Sequence, residues 1–329
     1  MIRISALLAV VACGAMLGAC ASHGLSAGEE ALTHMRAARE TPVFKGAEGG
    51  RETWDELVSS AAEADVVIIG ENHSHPLGLA VAAAFWEDVL LRTQNGALSL
   101  EFFERDEQSR VDDYLKGVVD EDAFQKATRR TESSYPPGHR MMVEAAKERH
   151  RPVIAANAPR VYVHLARQEG GYEKLSKLTA EQRRLFRIPD ELPGSNSRYR
   201  KDFNKVMSEM SATHGSKGKP PAAAAAGTTA KDPARFDAGF RSQSLWDWTM
   251  AESIARGLEA GDAPVVQVVG RFHTDFGGGL VQALKRQRPG ARIFTVSFSE
   301  ERSDHLEEGD RGRADAVIYV GPAPEDGKR

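Results

Sequence analysis

The chain has 329 residues, of which 41% are hydrophobic and 27% are charged. This balance is typical of a globular protein with enough apolar material for a sizeable core, arranged as one large α/β domain or as two smaller domains. Lys and Arg number 43 against 47 Asp and Glu, a net charge of −4 without the basic excess that nucleic-acid binding requires, so we expect no nucleic-acid partner. Both cysteines, Cys13 and Cys20, lie at the N-terminus, which excludes a disulfide framework, a cysteine zinc cluster and a catalytic cysteine in the rest of the chain.

The first twenty residues have the pattern of a bacterial lipoprotein signal. The apolar run Ile4–Met16 has the length of a signal-peptide core and is too short to span a membrane. The sequence LGAC at 17–20 matches the lipobox, so we expect residues 1–19 to be removed and acylated Cys20 to anchor the protein on a bilayer. By resemblance to sorted lipoproteins, Ala21 favours the outer membrane and a periplasm-facing domain. An ordinary signal peptide with a chance cysteine is the alternative.

The remainder divides into a tether, one domain and an insertion within that domain. Residues 20–45 are rich in Ala, Gly, Ser and Glu, which predicts a tether or a frayed helix. Residues 46–329 are expected to form a single α/β domain, because predicted strands occur on both sides of the segment at about 213–234. That segment combines Gly, Pro, Ser and Lys with five consecutive alanines, and is predicted to be a disordered surface insertion.

Short β-branched runs alternate with longer helical patterns from about residue 50 onward. Most runs are continuously apolar, which is typical of parallel strands buried on both faces, and their alternation with helices favours βαβ units. We therefore expect an α/β fold, with a mainly parallel central sheet flanked by helices and a ligand pocket at the C-terminal ends of the strands. The predicted strands are Val66–Ile69, Ala97–Leu100, Pro152–Ala155, Val265–Val269, Ile293–Val296 and Val317–Val320. The predicted helices are Leu77–Arg92, Asp106–Leu115, His139–Arg149, Ser197–Met210, Phe240–Leu258 and Gly278–Arg288.

Polar side chains follow four of the predicted strands. In chain order they are Glu71 and His73, then Glu101, then Asn157 and Arg160, and finally His273. Because parallel strands end at one edge of a sheet, we expect these side chains to line one pocket. Two Gly-x-x-His segments, ending at His73 and His273, support this most strongly, whereas His75 is a weaker candidate. The structural alternatives are hydrogen-bonded loop histidines, a solvated strand end at Glu101 and helix capping by Asn157.

Four of these residues have the chemistry of a metal or acid–base site. His73, His273, Glu71 and Glu101 offer two imidazoles and two carboxylates, which suit Zn, Mn or Fe. Without a metal, a carboxylate beside an imidazole makes a general base. The spacing matches no compact metal motif such as H-E-x-x-H.

A long helix after the insertion adds two polar candidates. Gln243, Asp247, Met250 and Ile254 recur at helical spacing on one face, with the polar residues nearer the start. This pattern predicts a helix whose first turns border the cleft, so that Gln243 and Asp247 belong to the ligand site. The alternative is a helix packed in the core, with Asp247 placed near its start by the helix dipole.

These segments together resemble the ChaN family of haem-binding uptake lipoproteins, within the wider Tiki, TraB and erythromycin-esterase-like superfamily. The resemblance covers about residues 50–300 and implies an α/β domain with its pocket at the strand ends and a role in haem or iron uptake. The motifs that carry it, in chain order, are VVIIGENH at 66–73, LEFF at 100–103, PVIAANAPR at 152–160, QSLWDWTMA at 243–251 and VVGRFH at 268–273.

The resemblance also implies how the ligand is held and which partners take part. The family's haem iron is bound by a tyrosine, for which we predict Tyr135, and Arg160 is expected to pair with a haem propionate. Besides the bilayer, the candidate partners are an outer-membrane haem or iron receptor and a second copy of the chain. The hydrolase branches of the superfamily imply a rival, metal-dependent hydrolysis of a peptide or an ester by Glu71, His73, Glu101 and His273. A passive envelope scaffold is a third hypothesis.

Overall fold

The computed structural model describes Met35 and residues 37–214 and 233–323. The predicted signal peptide, Cys20, most of the tether and the middle of the predicted insertion lie outside the described residues. Within the described ranges, no helix is long and apolar enough to cross a membrane.

The strands of the described chain are β1 Val43–Lys45, β2 Arg51–Glu52, β3 Val66–Glu71, β4 Ala97–Glu104, β5 Val153–Asn157, β6 Val265–Gly270, β7 Ile293–Ser299 and β8 Ala316–Tyr319. They form one mostly parallel sheet in the order β2-β1-β8-β7-β3-β6-β4-β5. All six predicted strands are present, as β3 to β8, and the predicted fold class is confirmed. A short antiparallel hairpin, β1 and β2, extends the sheet beside β8 and was not expected, because β1 lies within the predicted tether.

Eleven α-helices connect and flank the strands in the described ranges, including the six predicted ones with shifted ends. Five are additional: one precedes β3, and the other four lie between residues 121 and 183. The helices are α1 Trp54–Glu63, α2 Pro76–Arg92, α3 Gln108–Leu115, α4 Glu121–Ala127, α5 Pro137–Glu148, α6 Arg160–Arg167, α7 Gly171–Ser176, α8 Ala180–Arg183, α9 Arg198–His214, α10 Pro233–Ala260 and α11 Gly279–Gln287. The ends of the predicted insertion are thus the end of α9 and the start of α10.

The central strand β3 shows how the core is divided between the two faces of the sheet. All six of its residues are buried. Alternate side chains of a strand point to opposite faces, and Val67 and Ile69 pack with α1, α2 and α5. Val66 and Ile68 pack with α10 and α11 on the other face. Helices therefore cover both faces of the sheet, and the edge where the strands end is left open to other side chains.

Candidate functional site

The strand ends bring together the four residues that were predicted to supply imidazoles and carboxylates. β3 lies next to β6, and β6 next to β4, so Glu71 is paired in register with Gly270, and Glu101 of β4 lies one strand further along. His73 follows β3, and His273 lies in the 3₁₀ turn Arg271–His273 that follows β6. We call Glu71, His73, Glu101 and His273 the rim cluster.

Glu71 is buried between two histidines that bind separate carboxylate oxygens. His73 Nδ1 lies 3.1 Å from Oε1, and His139 Nε2 lies 3.1 Å from Oε2. Burial alone would raise the pKa of Glu71, but the two imidazoles outweigh it and hold the pKa at about 2. His139 comes from the first turn of α5 and was missed by the sequence analysis, because nothing in its spacing relates it to a strand end.

His73 is the exposed member of the rim cluster, with 67% of its side chain accessible. The hydrogen bond with Glu71, followed by the nearby charge of Glu101, raises the pKa of His73 against the effect of partial burial. The ring lies over Gly270, where a Cβ atom would come within 2.7 Å of Nε2. In the neutral ring, a proton on Nδ1 bound by Glu71 leaves the Nε2 lone pair free, and Nε2 has no hydrogen-bond partner in the described chain.

His273 is buried in a second network that α9 and α10 build around it. Its Nδ1 lies 2.6 Å from Asp247 Oδ1, and the side-chain amide of Gln243 lies 3.0 and 3.2 Å from its two ring nitrogens. The Tyr199 hydroxyl donates to the other oxygen of Asp247 at 2.7 Å. Burial lowers the pKa of His273, but the charges of Asp247 and Glu101 outweigh it and raise that pKa.

Asp247 shows that this network lies deep in the protein. Burial raises the pKa of its carboxyl, although His273 and Tyr199 act in the opposite direction. The approach of α11 to this network requires Gly279, since a Cβ atom there would lie 2.1 Å from Asp247 Oδ2. Gln243 and Asp247, which were predicted to belong to the ligand site, lie beside the rim cluster. Tyr199 was missed by the sequence analysis because its helix carries no motif.

Glu101 lies between the two networks. Its Oε2 accepts the backbone N–H of Gly270 at 2.7 Å, and its Oε1 lies 3.6 Å from His273 Nε2. It lies inside β4 rather than at the end of a strand, because β4 continues to Glu104. Glu101 is therefore not simply a solvated strand end.

Asn157 and Arg160 lie at the same edge but belong to neither network. Asn157 Oδ1 accepts the N–H of the next residue, Ala158, and does not cap α6. The first N–H of that helix, from Arg160, is accepted instead by Glu104 Oε2 at 3.2 Å. The Arg160 side chain is 90% exposed and pairs with Glu104 at 3.3 Å. β5 is the outermost strand, which separates both residues from the rim cluster.

Two further candidates, His75 and Tyr135, are buried and have contacts that belong to the fold. His75 is buried, its Nδ1 accepts the N–H of Gly78 as the N-cap of α2, and its Nε2 lies 2.9 Å from the carbonyl of Gly321. Tyr135 is also buried, stacked on Phe102 with ring centroids 5.5 Å apart, and burial raises the pKa of its phenol. The prediction of Tyr135 as an iron ligand is not supported by this position, because its hydroxyl does not reach an open surface.

The structure does not support the predicted divalent-metal site. Among the residues that it describes, no three His, Cys, Asp or Glu side chains are arranged to hold a metal ion. The physical reason is that three members of the rim cluster are already paired: Glu71 binds two imidazoles, His273 is bound by Asp247, and Glu101 accepts a backbone N–H. The fourth member, His73, keeps one free ring nitrogen, which by itself does not make a metal site.

A family model described as haem-binding uptake, Tiki superfamily, ChaN, matches residues 57–284, the range that contains every residue of both networks. The chain belongs to this family. A ChaN structure from Campylobacter jejuni, described as binding haem cofacially, superposes with a TM-score of 0.60 at 14% identity and covers 84% of this chain and 96% of that one. At this identity the likeness concerns the fold.

Two other solved structures match over similar shares of both chains, with lower TM-scores. A mutant of the erythromycin esterase EreC, in its open conformation, has a TM-score of 0.46 at 12% identity, over 84% of this chain and 95% of that one. The type III effector HopBA1 has a TM-score of 0.42 at 13% identity, over 87% and 99% of the two chains. A search of curated protein sequences finds no match.

Proposed function

We propose that this protein binds haem at the edge of its sheet and takes part in haem or iron uptake as a lipid-anchored envelope protein. The observation that carries the proposal is the family match over residues 57–284. The rim cluster adds a chemical argument. In metal-binding histidines, one ring nitrogen is usually held by a carboxylate while the other is free to bind the metal. His73 with Glu71 has this arrangement.

The tyrosines differ in whether their hydroxyls are free to bind iron. Tyrosine oxygen is one of the axial ligands that haem iron takes in proteins. Four of the six tyrosines donate their hydroxyls within the protein and a fifth, Tyr135, is buried; the four are Tyr114, Tyr172, Tyr199 and Tyr319. Tyr162, in the first turn of α6, is half-buried and packs against Phe186, with ring centroids 4.7 Å apart and the rings tilted by 43°. Its hydroxyl has no hydrogen-bond partner in the described chain. We therefore propose Tyr162 in place of Tyr135 as the iron ligand.

Arg160 begins the same helix, two residues before Tyr162, and its guanidinium is exposed. Arginine binds carboxylates through paired, charge-assisted hydrogen bonds, and the present partner, Glu104, is itself partly exposed. We propose that Arg160 contacts a haem propionate. Bound haem would supply a redox-active iron, while the protein residues would orient the porphyrin and limit access of water to it.

Titration of haemin into the purified mature protein, followed by Soret absorbance, tests these assignments. Tyr162→Phe is expected to shift the Soret maximum and weaken haemin binding at least tenfold. Tyr135→Phe is the matched control and is expected to leave both unchanged. Equal behaviour of the two variants would contradict the assignment of Tyr162, whereas absence of any Soret shift in the wild-type protein would contradict haem binding itself.

The proposed location depends on the N-terminal signal. We propose that Cys20 is acylated and holds the domain on the periplasmic face of the outer membrane, where it would meet an outer-membrane receptor. Cys20→Ser is expected to leave an unprocessed or soluble protein in cell fractionation. A normally processed variant in the membrane fraction would contradict the proposal.

Hydrolysis is a second candidate function, favoured by one observation. The Glu71–His73 pair presents an imidazole with a free nitrogen to solvent, which suits a general base. Ester or peptide turnover that is lost in His73→Ala, with wild-type haemin binding retained in that variant, would favour the hydrolase.

A further inference from the structure

His273 and Asp247 lie at the candidate site but are closed off from solvent. The side chain of His273 is 8% exposed and that of Asp247 1% exposed, whereas the side chain of His73 in the rim cluster is 67% exposed. His273 Nε2 nevertheless lies 3.6 Å from Glu101 Oε1, so the buried pair borders the open part of the rim cluster. A ligand at that edge can reach His273 only if the part of the chain that covers it moves.

The first half of α9 covers this buried pair. The Tyr199 hydroxyl donates to Asp247 Oδ2 at 2.7 Å, and the Tyr199 ring lies 5.3 Å from the ring of Phe272, the residue before His273. Phe203, one turn further along α9, packs on the same ring, with centroids 6.2 Å apart. α9 therefore closes the network from one side with two aromatic rings and one hydrogen bond.

The contacts that hold α9 in place are separate from the main core. Its aromatic residues form a small cluster with Phe240, distinct from the two clusters that fill the two faces of the sheet. The charged contacts are an ion pair of Arg200 with exposed Asp237 and the stacking of Arg198 on Phe276. Ion pairs with an exposed partner contribute about 0–1 kcal/mol. Because regions with few buried apolar contacts open at a lower free-energy cost than the core, α9 can open while the sheet stays folded.

The segment 184–197, which joins α8 to α9, is suited to act as a hinge. It contains neither helix nor strand. A cavity of about 360 Å³ separates its residues Glu191 and Pro193 from α10 and α11, so this part of the segment is not closely packed on the two helices. Gly194 follows, with open space where a Cβ atom would be. The tie at this point is an ion pair between the exposed side chains of Glu191 and Arg286. Bending here would therefore break no core contact.

We propose that α9 is a hinged cover, which moves away by rotation at residues 191–197 and exposes His273 and Asp247 to a ligand at the rim cluster. In the closed state the Tyr199 hydroxyl occupies one oxygen of Asp247. In the open state water or the ligand takes its place, while the other oxygen of Asp247 still holds His273 through Nδ1. The proposal concerns access to the site, and it is the same whether the ligand is haem or the substrate of a hydrolase.

Modification of the histidines by diethyl pyrocarbonate, located by mass spectrometry in the mature protein, measures the opening. His73 is exposed and should react first, whereas His273 should react more slowly, in proportion to the open fraction. His139, which is 7% exposed and lies in α5 on the opposite side of the sheet from α10, reports unfolding of the whole domain and should react last. Each rate is compared with that of the same residue in the wild type, so that intrinsic reactivity cancels.

Two variants of the cover and one control test the assignment. Phe203→Ala removes a ring from the cover and should raise the rate at His273 at least about tenfold, with the rates at the two reference histidines unchanged. Arg200→Ala removes only the ion pair with α10 and should raise the rate about threefold. Phe44→Ala is the matched control, because it removes a ring of equal size from a separate small cluster and should leave the rate at His273 as in the wild type.

Hydrogen exchange of the amides of residues 201–207 distinguishes hinged opening from a local gap beside His273. In Phe203→Ala and in Arg200→Ala these amides should exchange faster by the same factor as the modification of His273. Faster modification of His273 without faster exchange in α9, equal rates at His273 in all variants, or modification of His273 and His139 together would overturn the proposal.

Discussion

Glu71→Gln tests the electrostatic role of the most buried member of the rim cluster. In the folded protein the two imidazoles hold the pKa of Glu71 at about 2, against an ordinary value of 4.5. Because the folded pKa is the lower one, the ionised carboxylate stabilises the protein fully above pH 4.5, and this stabilisation is lost as the pH falls towards 2. Glutamine keeps the shape of the side chain but has no charge to lose.

The size of the effect follows from the two pKa values. The whole difference between 4.5 and about 2 corresponds to about 3 kcal/mol of folding free energy. At pH 3 the unfolded carboxyl is mostly protonated while the folded one remains ionised, so about 2 kcal/mol should already be lost relative to pH 5. His73, whose pKa is raised above 6.5, stays protonated in the folded state across this interval.

Urea unfolding of wild type and Glu71→Gln at pH 5, 4 and 3 measures the effect. The stability difference between the two proteins should shrink by about 2 kcal/mol between pH 5 and pH 3. Glu104→Gln is the matched control, because burial raises the pKa of Glu104 and the pH dependence of its stability difference should have the opposite sign. A difference for Glu71→Gln that is constant with pH would refute the assignment of the two imidazoles to this carboxylate.

Three further substitutions separate support of the site from support of the fold. Tyr199→Phe should cost about 1–2 kcal/mol in urea unfolding, because it leaves one oxygen of buried Asp247 without its donor; unchanged stability would refute the role of that hydrogen bond. His75→Ala should cost about 1–2 kcal/mol through loss of an N-cap and leave the haemin titration unchanged; impaired haemin binding at full stability would return His75 to the site. Gly270→Ala should weaken haemin binding in the Soret titration, since its Cβ would displace the His73 ring; wild-type binding would show that the ring position does not matter.

The positions of the strands, and the shared edge at which they end, follow from the sequence alone. Continuous apolar runs such as Val66–Ile69 favour burial on both faces, and their alternation with helical patterns favours a parallel sheet between helix layers. Parallel strands end on the same side, so the residues at their C-terminal ends share one edge of the sheet. This is why Glu71, His73, Glu101 and His273 were predicted together and lie together.

The strand order, and the residues that reach the edge from elsewhere, were decided by the tertiary structure. β5 lies outermost, so Asn157 and Arg160 share the edge without joining the rim cluster, although their motif is as clear as the others. His139 and Tyr199 come from α5 and α9, and each pairs with a carboxylate many residues away in the chain. Local periodicity encodes which face of a helix is buried but not which distant carboxylate that face will meet, because the meeting depends on how the whole helix packs against the sheet.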